Sequence, residues 1–229
     1  LSEFIIKLIA AAAMLIDHAG MALFPAKMLL RIVGRLAFPI FAWSVAQGCR
    51  KTGNYHRYLL RLALCAAVSE PCFDLASAGT LWQPDHQSTL LTLLLAALAV
   101  AGLRSLGGGW AGLFPVVLCC AAAELLRADY GWYGVATVVL FYWAAGLPAA
   151  AAGYALLSLV LQWNMLYGWA AAGLWLQLLT FPHQLWGLLA FVPLLLFNGQ
   201  RGPRSGRFFY IFYPAHLLAL GLIRHFAVI

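Results

Sequence analysis

Between Pro148 and Phe197 the sequence runs almost unbroken through apolar residues, and stretches of the same kind recur along most of the 229-residue chain. An apolar run of about 20 residues is the length of helix that crosses a hydrocarbon core about 30 Å thick. In that medium the backbone must satisfy its own hydrogen bonds, which helices do within one segment. With 64% of residues hydrophobic and 9% charged, the chain has too little polar surface to cover a water-soluble globule. The bilayer must be the solvent. After short loops, the length allows about eight to ten spans. The expected fold is therefore an all-α, polytopic transmembrane helical bundle, with residues 1–229 forming a single integral membrane domain.

The first run, Phe4 to Phe24, has Lys7 near its start and a block of alanines, as a cleaved signal would. Asp17 and His18 interrupt it, so it reads as a retained span. The second run extends from Leu29 to Gly48 and the third from Tyr55 to Phe73, with a polar stretch from Asp74 to Ser88 as the longest loop. Further runs cover Thr89 to Leu106, Trp110 to Leu126 and Trp132 to Ala145. The tract from Pro148 to Phe197 is broken at Asn164 to Gly168 and at Pro182-His183, which suits two long spans or three short ones. A basic hinge, Asn198 to Arg207, precedes a last span from Phe208 to Leu222.

The formal charge of +7 does not imply a nucleic-acid partner, because the basic residues sit at the ends of apolar runs, where they signal topology. Arg50, Lys51, Arg57 and Arg61 flank one short connection with no acid beside them. That places the connection, and by counting back the amino terminus, on the cytoplasmic side of the inner membrane. The Asp74 to Ser88 loop then lies outside. Arg201, Arg204 and Arg207 should lie inside, which requires an even number of preceding spans, kept by two helices between Pro148 and Phe197 and broken by three. The five cysteines are odd in number and have no paired ligand spacing. They read as packing residues, and no metal is expected.

Ionisable residues inside spans cost about 2.5 to 3.5 kcal/mol each on insertion scales, so each needs a partner or a function. His18 lies about 21 Å along its helix at 1.5 Å per residue, past the bilayer midplane. Neighbouring helix residues point about 100° apart, so the partner of the Asp17-His18 pair must be sought on another span. Arg31 and Arg35 are four apart and share a face. Glu70 with Asp74, and Glu124 with Arg127, have the spacing of helix-surface pairs. His216 sits early in the last span beside Pro214, which loosens the local backbone bonding.

In this order the motifs MLIDHAG (Met14 to Gly20), LRIVGRLAFPIF (Leu30 to Phe41), SEPCFDL (Ser69 to Leu75), YGWYGV (Tyr130 to Val135) and the block from Asn198 to His216, ending FYIFYPAH, resemble the TraX family. The namesake of that family is the F-pilin acetylase of conjugation systems. The resemblance implies acetyl-CoA as donor and an amine acceptor, in the namesake the amino terminus of a membrane-inserted pilin. It also implies kinship with polytopic acyltransferases that place a histidine in an early span, a position His18 fits. Between Gln83 and Thr92 the likeness weakens, with Ser88 and Thr89 where an amide is expected.

The chemistry of such a transfer calls for a base, since an amine attacks a thioester only after losing its proton. A histidine with an ordinary pKa near 6.5 suits that task. His18 is the expected general base, with Asp17 tuning the site. The phosphates of the donor require cations, and arginine forks match them. Arg31 and Arg35, or Arg201 with its neighbours Arg204 and Arg207, are the supply. Asn198 and Tyr213 are candidate donors to the developing oxyanion, and Glu70, Asp74 and His216 are further polar candidates. The expected partners are membrane lipid, acetyl-CoA and a pilin-like membrane peptide. Competing readings are a non-catalytic pilus or conjugation assembly protein, held together by small-residue helix packing, and a transporter or flippase. The latter calls for inverted repeats with interrupted helices in matching positions, and none is visible.

Overall fold

A computed structural model describes residues 1–107, 109–181, 183–203 and 206–227. The fold is an all-α bundle. Its helices are α1 Glu3–Ala22, α2 Met28–Gly34, α3 Ala37–Lys51, α4 Tyr55–Ala78, α5 Thr89–Ser105, α6 Gly109–Leu125, α7 Gly131–Trp143, α8 Leu147–Ala171, α9 Trp175–Thr180, α10 Phe191–Leu195 and α11 Gly206–Ala227, with a 3-10 turn at Gln184–Ala190 before α10. Among the described residues the lone β feature is an isolated bridge between Gln87 and Ala128.

The span count is lower than the eight to ten expected from length. Among the described residues three segments are long and apolar enough to cross a membrane, Glu3–Ala22, Met28–Lys51 and Leu147–Ala171, and three shorter apolar helices accompany them. Part of the reason is that α5 and α6 have 17 residues each and α7 has 13, below the roughly 20 that a span needs. Proline also divides the second run, which still makes one candidate span. Pro39 lacks an N–H, and its ring crowds the carbonyl four residues back, at Arg35. The expected single run from Leu29 to Gly48 accordingly breaks at Arg35-Leu36, where Arg35 and Leu36 donate to Ile32 and Val33 in tighter three-residue turns. The tract after Pro148 resolves into one long helix, α8, followed by short pieces, instead of two or three comparable spans. Asn164 to Gly168, expected to interrupt it, lies inside α8. Asn and Gly each cost about 1 kcal/mol or less in a helix interior, too little to break an apolar helix by themselves. Pro182 lies outside the described residues.

Helix α4 runs five residues beyond Phe73, so the polar loop begins at Gly79 instead of Asp74. Pro71 is tolerated inside it. The helix stops at Gly79, whose φ of 77° is left-handed, a conformation that Gly adopts at no steric cost.

The chain forms two compact units: Leu1–Phe41 with Ala145–Ser205, and Ala42–Ala144 with Gly206–Ile229. In the first, α1 packs on α2, and α8 packs on the 3-10 turn and α10. The inward stripe of α1 is Ile6, Ala10, Met14 and His18, all buried at a spacing of four, while Ile5, Leu8, Leu15 and Ile16 face outward. The N–H groups of Glu3 and Phe4 at the start of α1 donate to the carbonyls of Gln200 and Arg201 at 2.9 and 3.2 Å, which satisfies donors a helix start leaves open.

In the second unit α5, α6 and α7 pack mutually, α4 packs on α5, and α11 packs on α4. Helices α4 and α11 run parallel. Near the start of α11, Cys65 from the middle of α4 donates its thiol to the Tyr210 carbonyl at 3.6 Å, the acceptor that Pro214, four residues on, leaves without an N–H. Near their ends Arg224 donates to the carbonyls of Ala76 (2.8 Å) and Ser77. Arginines close two further helix ends. Arg50 donates to the Phe141 and Tyr142 carbonyls of α7, and Arg104 to the Cys49 carbonyl of α3 at 2.6 Å. A cation at a helix carboxyl end satisfies open carbonyls and favours the dipole.

Candidate functional site

The polar residues singled out from sequence fall into two sets, one in each unit.

In the first unit, His18 lies in the buried stripe of α1 between Met14 and Ala22, with 6% of its surface exposed. Its neighbour Asp17 is bound from α2. Arg31 Nη1 lies 2.7 Å from Asp17 Oδ2 and also donates to the Asp17 backbone carbonyl at 3.2 Å. The partner of the Asp17-His18 pair thus comes from another helix, through Asp17. This approach depends on Gly34. A Cβ at that position would overlap the Asp17 carboxylate, so glycine is what lets α2 come so close. Arg31 spends one terminal nitrogen on Asp17, and its other donors make no hydrogen bond among the described residues. Arg35 caps the end of α2 after the break, and so Arg31 and Arg35 straddle a helix end instead of sharing one regular face. Asn198 is an exposed turn former whose Oδ1 accepts from the Gln200 N–H at 3.1 Å. Arg201 is exposed, and Arg204 lies outside the described residues.

In the second unit, carboxylates gather where α4, the loop after it and the α6–α7 connection meet. Glu70 receives the N–H and hydroxyl of Ser88, each at 2.8 Å, and so holds the start of α5. Asp74, 2% exposed, accepts the Gln83 N–H on Oδ2 at 2.8 Å. Its buried Oδ1 has no hydrogen-bond partner among the described residues. Asp129 receives the Thr89 hydroxyl at 2.6 Å and His86 Nε2 at 3.1 Å. The hydrogen bond from Asp129, reinforced by the charges of Asp129, Glu70 and Asp74, raises the His86 pKa above its ordinary value against the opposing effect of burial. Tyr213 reaches this group from α11, beside Thr89 and within electrostatic range of Asp129 and Glu70. His216 stays on its own helix, with Nδ1 2.7 Å from the Phe212 carbonyl and its ring stacked on Phe212. Since a carbonyl only accepts, Nδ1 carries the proton.

Glu124 and Arg127 do not pair with each other. Glu124 accepts the Trp132 N–H at 2.8 Å, and Arg127 binds Asp85. Sequence reasoning missed His86 and Asp129, which are 43 residues apart and meet only because the 87–89 and 127–129 segments exchange backbone hydrogen bonds. Ser88 and Thr89, where an amide is expected, donate to the carboxylates of Glu70 and Asp129. Among the described residues no group of His, Cys, Asp and Glu could hold a metal.

A family model described as TraX protein matches residues 2–224. The chain belongs to the TraX family. Over 110 residues it is 31% identical to the "Probable fimbrial assembly protein FimC, serogroup H1" of Dichelobacter nodosus, an alignment covering 43% of this chain and 45% of that protein. The TraX-family chain thus aligns with about half the length of that curated relative. No solved structure matches it.

Proposed function

We propose that this TraX-family membrane protein is a pilus- or conjugation-associated N-acetyltransferase that moves an acetyl group from acetyl-CoA to an amine, with His18 as general base. The observation that carries the reading is a buried histidine one turn from the end of the apolar helix α1, beside an Asp17–Arg31 ion pair supplied by the next helix. Hydrocarbon does not tolerate such a group without a role. Family membership supports the donor and acceptor classes, and the fimbrial assembly protein it resembles supports the pilus setting.

In the proposed reaction His18 takes a proton from the acceptor ammonium, and the free amine attacks the thioester carbonyl. The C–N bond forms, the C–S bond breaks and CoA leaves as thiol. The proposed cations for the donor phosphates are Arg31, with donors to spare after binding Asp17, and Arg35, or alternatively Arg201, which lies at the other end of α1 beside Phe4. The acceptor class is the amino terminus of a pilin-like membrane peptide. The protein is placed in the inner membrane with its amino terminus in the cytoplasm, which puts Arg201, bonded at the start of α1, on the side that holds acetyl-CoA. No metal takes part.

The test is acetyl transfer from radiolabelled acetyl-CoA by purified protein. A general base contributes about 10²- to 10⁴-fold, so His18→Gln should lose at least about two orders of magnitude while inserting and eluting as the parent does. Transfer at the parent rate by a folded His18→Gln variant would overturn the assignment. A second reading, a non-catalytic assembly protein, is favoured by the name of the fimbrial relative. It predicts that no acetyl-CoA is consumed.

A further inference from the structure

Helices α4 and α11 flank an open groove of about 600 Å³ that is apolar along its length and has two arginines at one end, Arg61 in the second turn of α4 and Arg207 at the start of α11. Neither guanidinium has a hydrogen bond or ion pair with any described residue, whereas Arg31, Arg50, Arg104, Arg127 and Arg224 are all engaged. The walls include Val68 and Cys72 on α4 and Ile211 and Leu218 on α11, of which Val68, Ile211 and Leu218 are exposed. Because the helices are parallel and in register, the cleft runs eleven residues along each, from Arg61 to Cys72 and from Arg207 to Leu218. At 1.5 Å per residue that is about 16 Å, about one leaflet of a hydrocarbon core some 30 Å thick.

We infer that this cleft binds one anionic phospholipid, its phosphate between Arg61 and Arg207 and an acyl chain along the α4–α11 groove. The charge pair at one end selects an anion, and the length matches a chain lying in a single leaflet. The apolar walls offer nothing to a soluble phosphate compound beyond its first few atoms. The volume falls within the range of ordinary ligand sites, about 300 to 1,000 Å³. The site is separate from the His18 chemistry and does not depend on that reading.

The experiment is native mass spectrometry of the full chain, released from micelles containing equal amounts of phosphatidylglycerol and phosphatidylcholine with identical acyl chains. The expected result is one retained phosphatidylglycerol, favoured by about tenfold, the order of effect for two arginines at an anionic interface. Arg61→Gln with Arg207→Gln should abolish the preference, and Arg61→Lys with Arg207→Lys should keep most of it. Leu218→Trp, which fills the groove, should reduce retention of both lipids. Equal retention by the parent protein, or a preference that survives the double Gln change, would overturn the site. So would displacement of the lipid by CoA or inorganic phosphate, or a membrane peptide retained in its place. If the Gln pair does not elute as folded protein, the Leu218→Trp result decides, with unchanged retention counting against the site.

Discussion

Single residues here do work that their neighbours on the helix cannot, because adjacent helical side chains diverge. Asp17 and His18 illustrate it. His18 faces inward with Ile6, Ala10 and Met14, while Asp17 turns to Arg31. The Asp17–Arg31 pair is mostly removed from solvent, with side chains 14% and 25% exposed. Removing one partner should therefore cost about 1.5 to 3 kcal/mol, the range for hydrogen bonds to charged groups. Asp17→Asn and Arg31→Gln should each lower the thermal midpoint in detergent, and the double variant should be less destabilised than the two added together, because no lone charge remains. Strict additivity would show that the two do not interact. Arg35→Gln leaves this pair intact and gives the cleaner reading of donor binding. Under the proposed reaction it should raise the KM for acetyl-CoA.

At the scale of elements, the approach of α1 and α2 rests on a missing side chain. Gly34→Ala would put a methyl group into the Asp17 carboxylate. Overpacking of this kind costs about 1 to 3 kcal/mol. Lower thermal stability is expected, and an unchanged midpoint would mean that α2 can shift away at no cost. The connection of the 79–88 loop to the α6–α7 turn has a different character, since it is held through a titratable group. His86 has a folded pKa raised above about 6.5 by its bond to Asp129. A raised histidine pKa gives stability that is fully present below the unfolded value and is lost as pH rises through the folded one. Thermal scans should therefore show this contribution in mildly acidic buffer and its loss above neutrality, and His86→Gln should remove that part of the pH dependence. A profile identical to that of the parent would exclude the His86–Asp129 bond as its source.

For the whole molecule, the parallel run of α4 and α11 puts Arg61 and Arg207 at one end of their unit and the acid-bearing 79–88 loop at the other. Under the proposed orientation, which follows the positive-inside rule, the basic end faces the cytoplasm. In a cysteine-free background, Thr80→Cys should react with an impermeant thiol reagent added outside, and Gly53→Cys should react only after permeabilisation. The reverse pattern would invert the proposed orientation.

The sequence by itself determined that the solvent is a bilayer, that the fold is helical, and where α1, α5, α6 and α7 begin and end. These follow from local composition and periodicity, which a single stretch of chain contains in full. It also singled out Asp17, His18 and Arg31, because charge in an apolar run is costly wherever it is packed. Only the tertiary structure decided that Arg31 binds Asp17, that Gly34 permits it, and that Arg50, Arg104 and Arg224 close the ends of other helices. It likewise brought Asp129 to His86, and Arg61 to the same end of one cleft as Arg207. Each of these depends on which helices become neighbours and at what axial offset. That outcome is set by the packing of whole faces, and no local run of residues encodes it.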